Sequence, residues 1–168
     1  MKIQLTEIEK EIGALVGMAR FNRAKKENLP DRIGMPLENQ EKYDINGAQA
    51  EFAFCKLLGC FWNTDMNIFK GADVGKDIQI RATEYPAGSL MVYDVDNSED
   101  VYILAIHSAY GIDFRGMIKG SEAKQEKYFT REIRGKRLLK ACYVISQQDL
   151  NPFTLTDLVR IKSSLRNL

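Results

Sequence analysis

The sequence predicts an α/β (α+β) fold, a central mixed β-sheet flanked by helices, on three observations. Two stretches near the N-terminus carry apolar residues at three-to-four spacing, a series of short apolar or alternating segments between residues 60 and 146 reads as five or six strands, and a last helical pattern closes the chain. The 168 residues fit one domain with a substantial core, and no internal repeat or linker divides them. Residues 1–168 are therefore read as a single domain: an N-terminal helix and connector over 1–45, a core over 46–124, and a basic segment, edge strand and C-terminal helix over 125–168.

Each element has its own signal. Over residues 6–28, Ile8, Ile12, Leu15, Val16 and Ala19 follow the helical period, and Thr6 with Glu9 makes a capping box. Arg20, Arg23, Lys25 and Lys26 give the end of that helix a basic face. Residues 29–44, with two prolines, read as a connector. A second helix is expected from about Asp44–Asn46 to Leu58, with Ala48, Phe52, Cys55 and Leu58 on its buried side. Glu51 stands three and four residues from Ala48 and Cys55, so it borders the apolar stripe. A carboxylate there either reaches out to solvent or is aimed into a site.

Cys60–Phe69 reads as a first strand, residues 77–82 as a second and Ser89–Tyr93 as a third. Residues 94–100 form an acidic hairpin loop. Val101–His107 has the continuous apolar pattern of a central strand, and residues 110–119 add another. Residues 125–140 are basic and poorly periodic, and read as a loop or irregular helical insertion. Cys142–Ser146 alternates as a last edge strand, and residues 156–165 form a helix capped by Thr154 or Thr156.

Charge is informative only locally. The net charge is +1, but residues 115–140 hold nine Lys or Arg against three Glu. Such a cluster is a candidate footprint for a phosphate backbone. Lys119, Lys124, Lys127, Arg131, Arg134, Lys136 and Arg137 are the candidate nucleic-acid contacts, with Tyr128 and Phe129 interleaved as possible stacking surfaces. Cys55, Cys60 and Cys142 lack disulfide or metal-ligand spacing and read as reduced thiols, and a single histidine argues against a zinc site. There is no signal-peptide pattern and no membrane-length apolar run, so a cytoplasmic protein with no membrane partner is expected.

The stretch Gly71–Thr83 carries most of the chemistry. A glycine-bearing turn with Asp73 and Asp77 leads into a strand on which Ile78 and Ile80 point one way and Gln79 and Arg81 the other. Carboxylates, an amide and a cation thus gather in one short segment, a plausible place for a metal ion and a polarised phosphate.

Glu51 within Gly47-Ala-Gln-Ala-Glu51, Asp73 within Ala72-Asp-Val-Gly75, and Gln79-Ile-Arg81 together resemble the PD-(D/E)XK, or restriction-endonuclease-like, nuclease superfamily, in particular its small phage and bacterial members. The resemblance covers roughly residues 44–124. It implies a restriction-endonuclease-like sheet, with residues 46–124 as a nuclease-like core, and a metal-dependent nuclease acting on DNA with Mg²⁺ or Mn²⁺. Asp73 would be the central metal ligand and Glu51 a second one. Gln79 would be a weak ligand or water-positioner in place of the usual acid, the Ile80 carbonyl a further ligand, and Arg81 the cation in place of the usual lysine. Arginine can clamp a phosphate but does not act as a proton acceptor. Asp77 is an alternate carboxylate and Lys124 an alternate cation. Two other readings stay open: a catalytically inactive member that binds DNA or a host protein, and a small non-enzymatic interaction protein. A homodimer is possible under each. For a phage-encoded member the compartment would be the host cytoplasm.

Overall fold

The computed structural model describes residues 1–28, 37–64, 72–133 and 135–165. In chain order the elements are β1 (Lys2–Ile3), α1 (Glu7–Lys26), α2 (Leu37–Leu58), β2 (Ile78–Thr83), β3 (Leu90–Tyr93), β4 (Val101–Ser108), β5 (Gly111–Lys119), the single turn α3 (Gly120–Ala123), β6 (Phe129–Ile133), β7 (Lys136–Ile145) and α4 (Leu155–Leu165). The fold is mixed α+β with two sheets. One is mixed, in the order β1-β5-β4-β2, with β2 parallel to β4 and the other neighbours antiparallel. The other is antiparallel, in the order β3-β7-β6.

Strand β4 explains the layering. Its residues are apolar on both faces, so both must be covered. Ile103 and Ala105 join Ile78 and Ile80 of β2 in a core with Ala48, Phe54, Cys55 and Leu58 of α2. Tyr102, Leu104 and Ile106 join a second core with Leu90, Val92 and Ile145 of the antiparallel sheet. The mixed sheet thus has α2 on one side and a sheet on the other, where the sequence suggested helices on both. α4 closes the α2 side, with Leu158, Ile161 and Leu165 against that core and Phe153 against Phe54.

Several boundaries differ from those expected, each for a local reason. α2 begins at Leu37, within the expected connector, because Glu38, Gln40, Glu41 and Lys42 are good helix formers. The expected strand over Cys60–Phe69 is not formed at residues 60–64, and residues 65–69 lie outside the described residues. There α2 ends in a Schellman motif: Gly59 takes φ +63°, and the Gly59 and Cys60 N–H groups donate to the Lys56 and Cys55 carbonyls at 3.1 and 3.0 Å. The basic segment is not a loop or helical insertion but the β6–β7 hairpin, and β7 is the middle strand of its sheet rather than an edge. Most of β6 is exposed, so no buried face imposes an apolar alternation on it. Thr6 and Glu9 form the capping box predicted for α1, and of the two threonines offered for α4 it is Thr154 that caps, together with Asp157.

The predicted α1 stripe is divided, and of its large residues Val16 packs against the core on the α2 side. Ile8, Ile12 and Leu15 are exposed, and the buried positions are Gly13 and Gly17. A Cβ on Gly17 would lie 2.4 Å from the Ile45 Cα, so the two helices meet at a contact that only glycine permits. Among the described residues, no helix is long and apolar enough to cross a membrane.

Candidate functional site

The close α1–α2 contact places Arg20 above α2, on the same face of α1 as Gly13 and Gly17. Its two terminal nitrogens donate to the two carboxylate oxygens of Glu51, Nη1 to Oε1 at 2.6 Å and Nη2 to Oε2 at 2.8 Å. Glu51 is buried within the apolar side of α2 and also accepts the indole N–H of Trp62 at 3.2 Å. Trp62 reaches it by stacking on Phe52, with ring centroids 4.9 Å apart. Burial works against the charge on Arg20, but Glu51, then Asp73 and Asp44, overcome it and raise its pKa.

Asp73 arrives from the other direction. After it the chain doubles back: Val74 and Ile78 exchange both backbone hydrogen bonds, at 3.1 and 3.3 Å, around a turn in which Gly75 takes φ +67°. This brings the Asp73 Oδ2 to the Ile80 N–H of β2, which donates to it at 2.6 Å. Burial and then the neighbouring Glu51 charge push the Asp73 carboxyl up to about 7, against the opposing pull of Arg81, the Ile80 N–H and Arg20. Glu51, Asp73 and Arg20 therefore share one electrostatic neighbourhood between α1, α2 and the start of β2, and Asp73 also feels the charge of Arg81.

Arg81 and Gln79 lie on the opposite face of β2 from Ile80 and are held by the acidic loop of residues 94–100. Arg81 Nη2 lies 3.2 Å from Asp96 Oδ2, and its guanidinium sits 5.3 Å from the centroid of the Tyr102 ring. Burial opposes its charge, but Asp96 and Asp73 raise its pKa nonetheless. Gln79 Nε2 donates to the buried Asp100 at 2.9 Å, and Asn97 donates to the other Asp100 oxygen at 2.7 Å. Asp96 also accepts the Tyr93 N–H at 3.0 Å.

Of the expected site residues, Asp73 thus feels the charges of both Glu51 and Arg81, while Arg81 and Gln79 are coupled to Asp96 and Asp100 on the other face of β2. Ile80 contributes its N–H to Asp73 and its side chain to the core. Asp77 lies exposed on the turn, with its carbonyl accepting the Val101 N–H at 2.7 Å. Lys124 donates to the Asp94 and Asp96 carbonyls, bracing the loop that holds Arg81. Lys119 is paired with Glu99 at 2.9 Å. Lys127, with its ammonium 4.5 Å from the Tyr128 ring centroid, precedes β6; Arg131 is exposed on β6 and Arg137 on β7. Arg134 and the Lys136 side chain lie outside the described residues. His107 Nε2 lies 2.9 Å from the Asn46 carbonyl and its pKa is lowered by burial, a structural placement.

No family model, no curated protein and no solved structure matches the chain. The reading of the site rests on its own chemistry.

The sequence reading missed Arg20, Trp62, Asp96 and Asp100. Arg20 had a signal, since it continues the Gly13–Gly17 face at the next helical step. Asp96 and Asp100 had one too: polar residues on a strand buried on both faces need partners, and this loop is the acidic segment nearest in sequence. Trp62 had none, because its position depends on how α2 ends.

The donor set suits a hard divalent cation. Among the described residues, no group of three or more His, Cys, Asp or Glu gathers for a metal. Glu51 on α2 and Asp73 on the turn before β2 are the residues that could hold such an ion, and magnesium takes one or two carboxylates from the protein and keeps several waters. A surface cavity of about 360 Å³ near the start of α1 and the β4–β5 turn includes none of these residues.

Proposed function

We propose that the protein is a metal-dependent phosphodiester hydrolase acting on DNA, with Glu51 and Asp73 as its cation-holding carboxylates. The observation that carries this reading is that Glu51 of α2 and Asp73 of the turn before β2 are close enough for the Glu51 charge to help raise Asp73 to about 7. Buried like charges are costly, and they concentrate at functional sites. A divalent cation bound there would relieve that repulsion, polarise a phosphoryl oxygen and lower the pKa of a bound water.

The chain's own groups have distinct parts. The Ile80 N–H fixes one Asp73 oxygen, and Trp62 fixes the orientation of Glu51. Arg81, always charged, offers positive potential to the charge that develops on the phosphate but takes no proton. Asp96 and Asp100 hold Arg81 and Gln79 in place.

The test is cleavage of duplex, single-stranded and branched DNA with Mg²⁺ or Mn²⁺. Wild type should cut only with the metal, and Asp73→Ala and Glu51→Ala should each lower the rate by about 10²-fold or more. Activity that survives both changes sinks the assignment. A second reading, DNA binding without cutting, is favoured by one observation: Arg81 is engaged with Asp96, and β2 offers no lysine at this position to accept a proton. Its signature would be salt-sensitive binding with no metal-dependent product.

A further inference from the structure

We propose, on the reading that Glu51 and Asp73 form a cation site, that Arg20 is the resident counter-ion of that site and that a divalent cation binds by displacing it from Glu51. Arg20 is a positioning residue in this scheme, and it sets how readily the site loads.

Four observations lead there. Both Glu51 oxygens are engaged by Arg20, in a parallel two-bond fork at 2.6 and 2.8 Å. A cation seeking either oxygen meets a positive group already in place, and two like charges at ligand distance repel strongly in a partly buried setting. The charge of Asp73 also acts on Arg20, after that of Glu51, so the guanidinium faces both acids. The approach of α1 that delivers Arg20 uses glycine at the contact, since a Cβ on Gly17 would collide with the Ile45 backbone. Finally, Arg20 has a way out. A quarter of its side chain is exposed, against 7% for Glu51, so the arginine can swing towards solvent while the carboxylate stays.

The arrangement supplies its own reporter. Trp62 is the only tryptophan in the chain, and its indole N–H is bonded to Glu51. Any change at Glu51 alters the surroundings of that ring.

The experiment is a Mn²⁺ titration at pH 8, followed by Trp62 fluorescence, on wild type, Arg20→Met, Arg20→Lys and Asp73→Asn. Wild type should give a saturable response that Asp73→Asn abolishes. Arg20→Met should bind Mn²⁺ about tenfold tighter or more, because a positive charge beside the site is gone. Arg20→Lys keeps the charge but not the two-bond fork, and should bind about threefold tighter. If Arg20→Met fails to fold, as judged by circular dichroism, Arg20→Lys decides the matter. The proposal is overturned if the folded Arg20 variants bind Mn²⁺ no tighter than wild type while Asp73→Asn still abolishes the response; the cation site would then stand, and Arg20 would be a helix-to-helix tie alone. If no Asp73-dependent response occurs in wild type or in the Arg20 variants, the cation site itself is refuted, and this inference with it.

Discussion

Asp73 is caught between two opposite demands. Burial and Glu51 favour its neutral form, while Arg81, the Ile80 N–H and Arg20 favour its charge, and the balance leaves its pKa raised to about 7. A carboxyl whose folded pKa lies above its unfolded value near 3.8 adds stability that is fully present below that lower value and is lost as pH rises towards 7. Urea denaturation of the metal-free protein should therefore show wild type losing stability relative to Asp73→Asn between about pH 4 and pH 7; parallel pH profiles for the two would refute the shift. Glu51→Gln tests the other acid. It leaves Arg20 without its charged partner, and should cost about 2–3 kcal/mol by chemical denaturation, at or below the low end for breaking a buried pair because Arg20 is partly solvated. The sequence marked Glu51 because it borders an apolar stripe, and Asp73 because it stands on a glycine-bearing turn just before Gln79 and Arg81. It could not show that Arg20 and Trp62 complete the group, since those contacts depend on the approach of α1 and on the end of α2.

At the level of elements, the site depends on how two pieces of backbone are brought close. One is the 73–80 turn, with Gly75 in the left-handed region. The other is the α1–α2 contact at Gly17. Gly17→Ala should improve helix propensity by about 1 kcal/mol, yet the new methyl meets backbone at 2.4 Å and forces the helices apart. The net expectation is a loss of about 1–3 kcal/mol, together with a change in Trp62 emission as Arg20 is drawn off Glu51. Unchanged stability and emission would show that the contact is softer than described. β4 was legible because an apolar run flanked by turn signals fits a strand covered on both faces. The outward-facing Ile8, Ile12 and Leu15 of α1 were misread because hydrophobic periodicity assumes that large residues make the contact, and here, beside Val16, glycines make it. The β6–β7 hairpin was missed for a related reason: a ribbon with much of its surface in solvent carries little apolar alternation.

Over the whole molecule, the positive charge of residues 115–140 is divided. Lys119 and Lys124 are committed to Glu99 and to the carbonyls of the 94–96 loop, whereas Lys127, Arg131 and Arg137 stand with the hairpin and its aromatic residues. If this hairpin follows a DNA backbone, replacing those three by glutamine should weaken binding and reduce the slope of log affinity against log salt by about three. Lys119→Gln should change the slope little. Equal effects would mean that the ion pair with Glu99 gives way to DNA, and no effect from either would remove the hairpin from the interface. The mixed sheet, the helix that covers it and the stretch of chain bearing Glu51, Asp73, Gln79 and Arg81 were all visible in the sequence. The second sheet was not, and the acidic loop of residues 94–100, expected as a hairpin, instead crosses from one sheet to the other and holds Gln79 and Arg81, because both features depend on pairing between segments distant along the chain.

The central claim is that Glu51 and Asp73 together hold a divalent cation. An anomalous difference map from crystals soaked in Mn²⁺ tests it most directly. The expected result is a peak between the two carboxylates, with Arg20 turned away from Glu51. A peak elsewhere, or none at a Mn²⁺ concentration that supports DNA cleavage, with the Arg20–Glu51 fork intact, would contradict it.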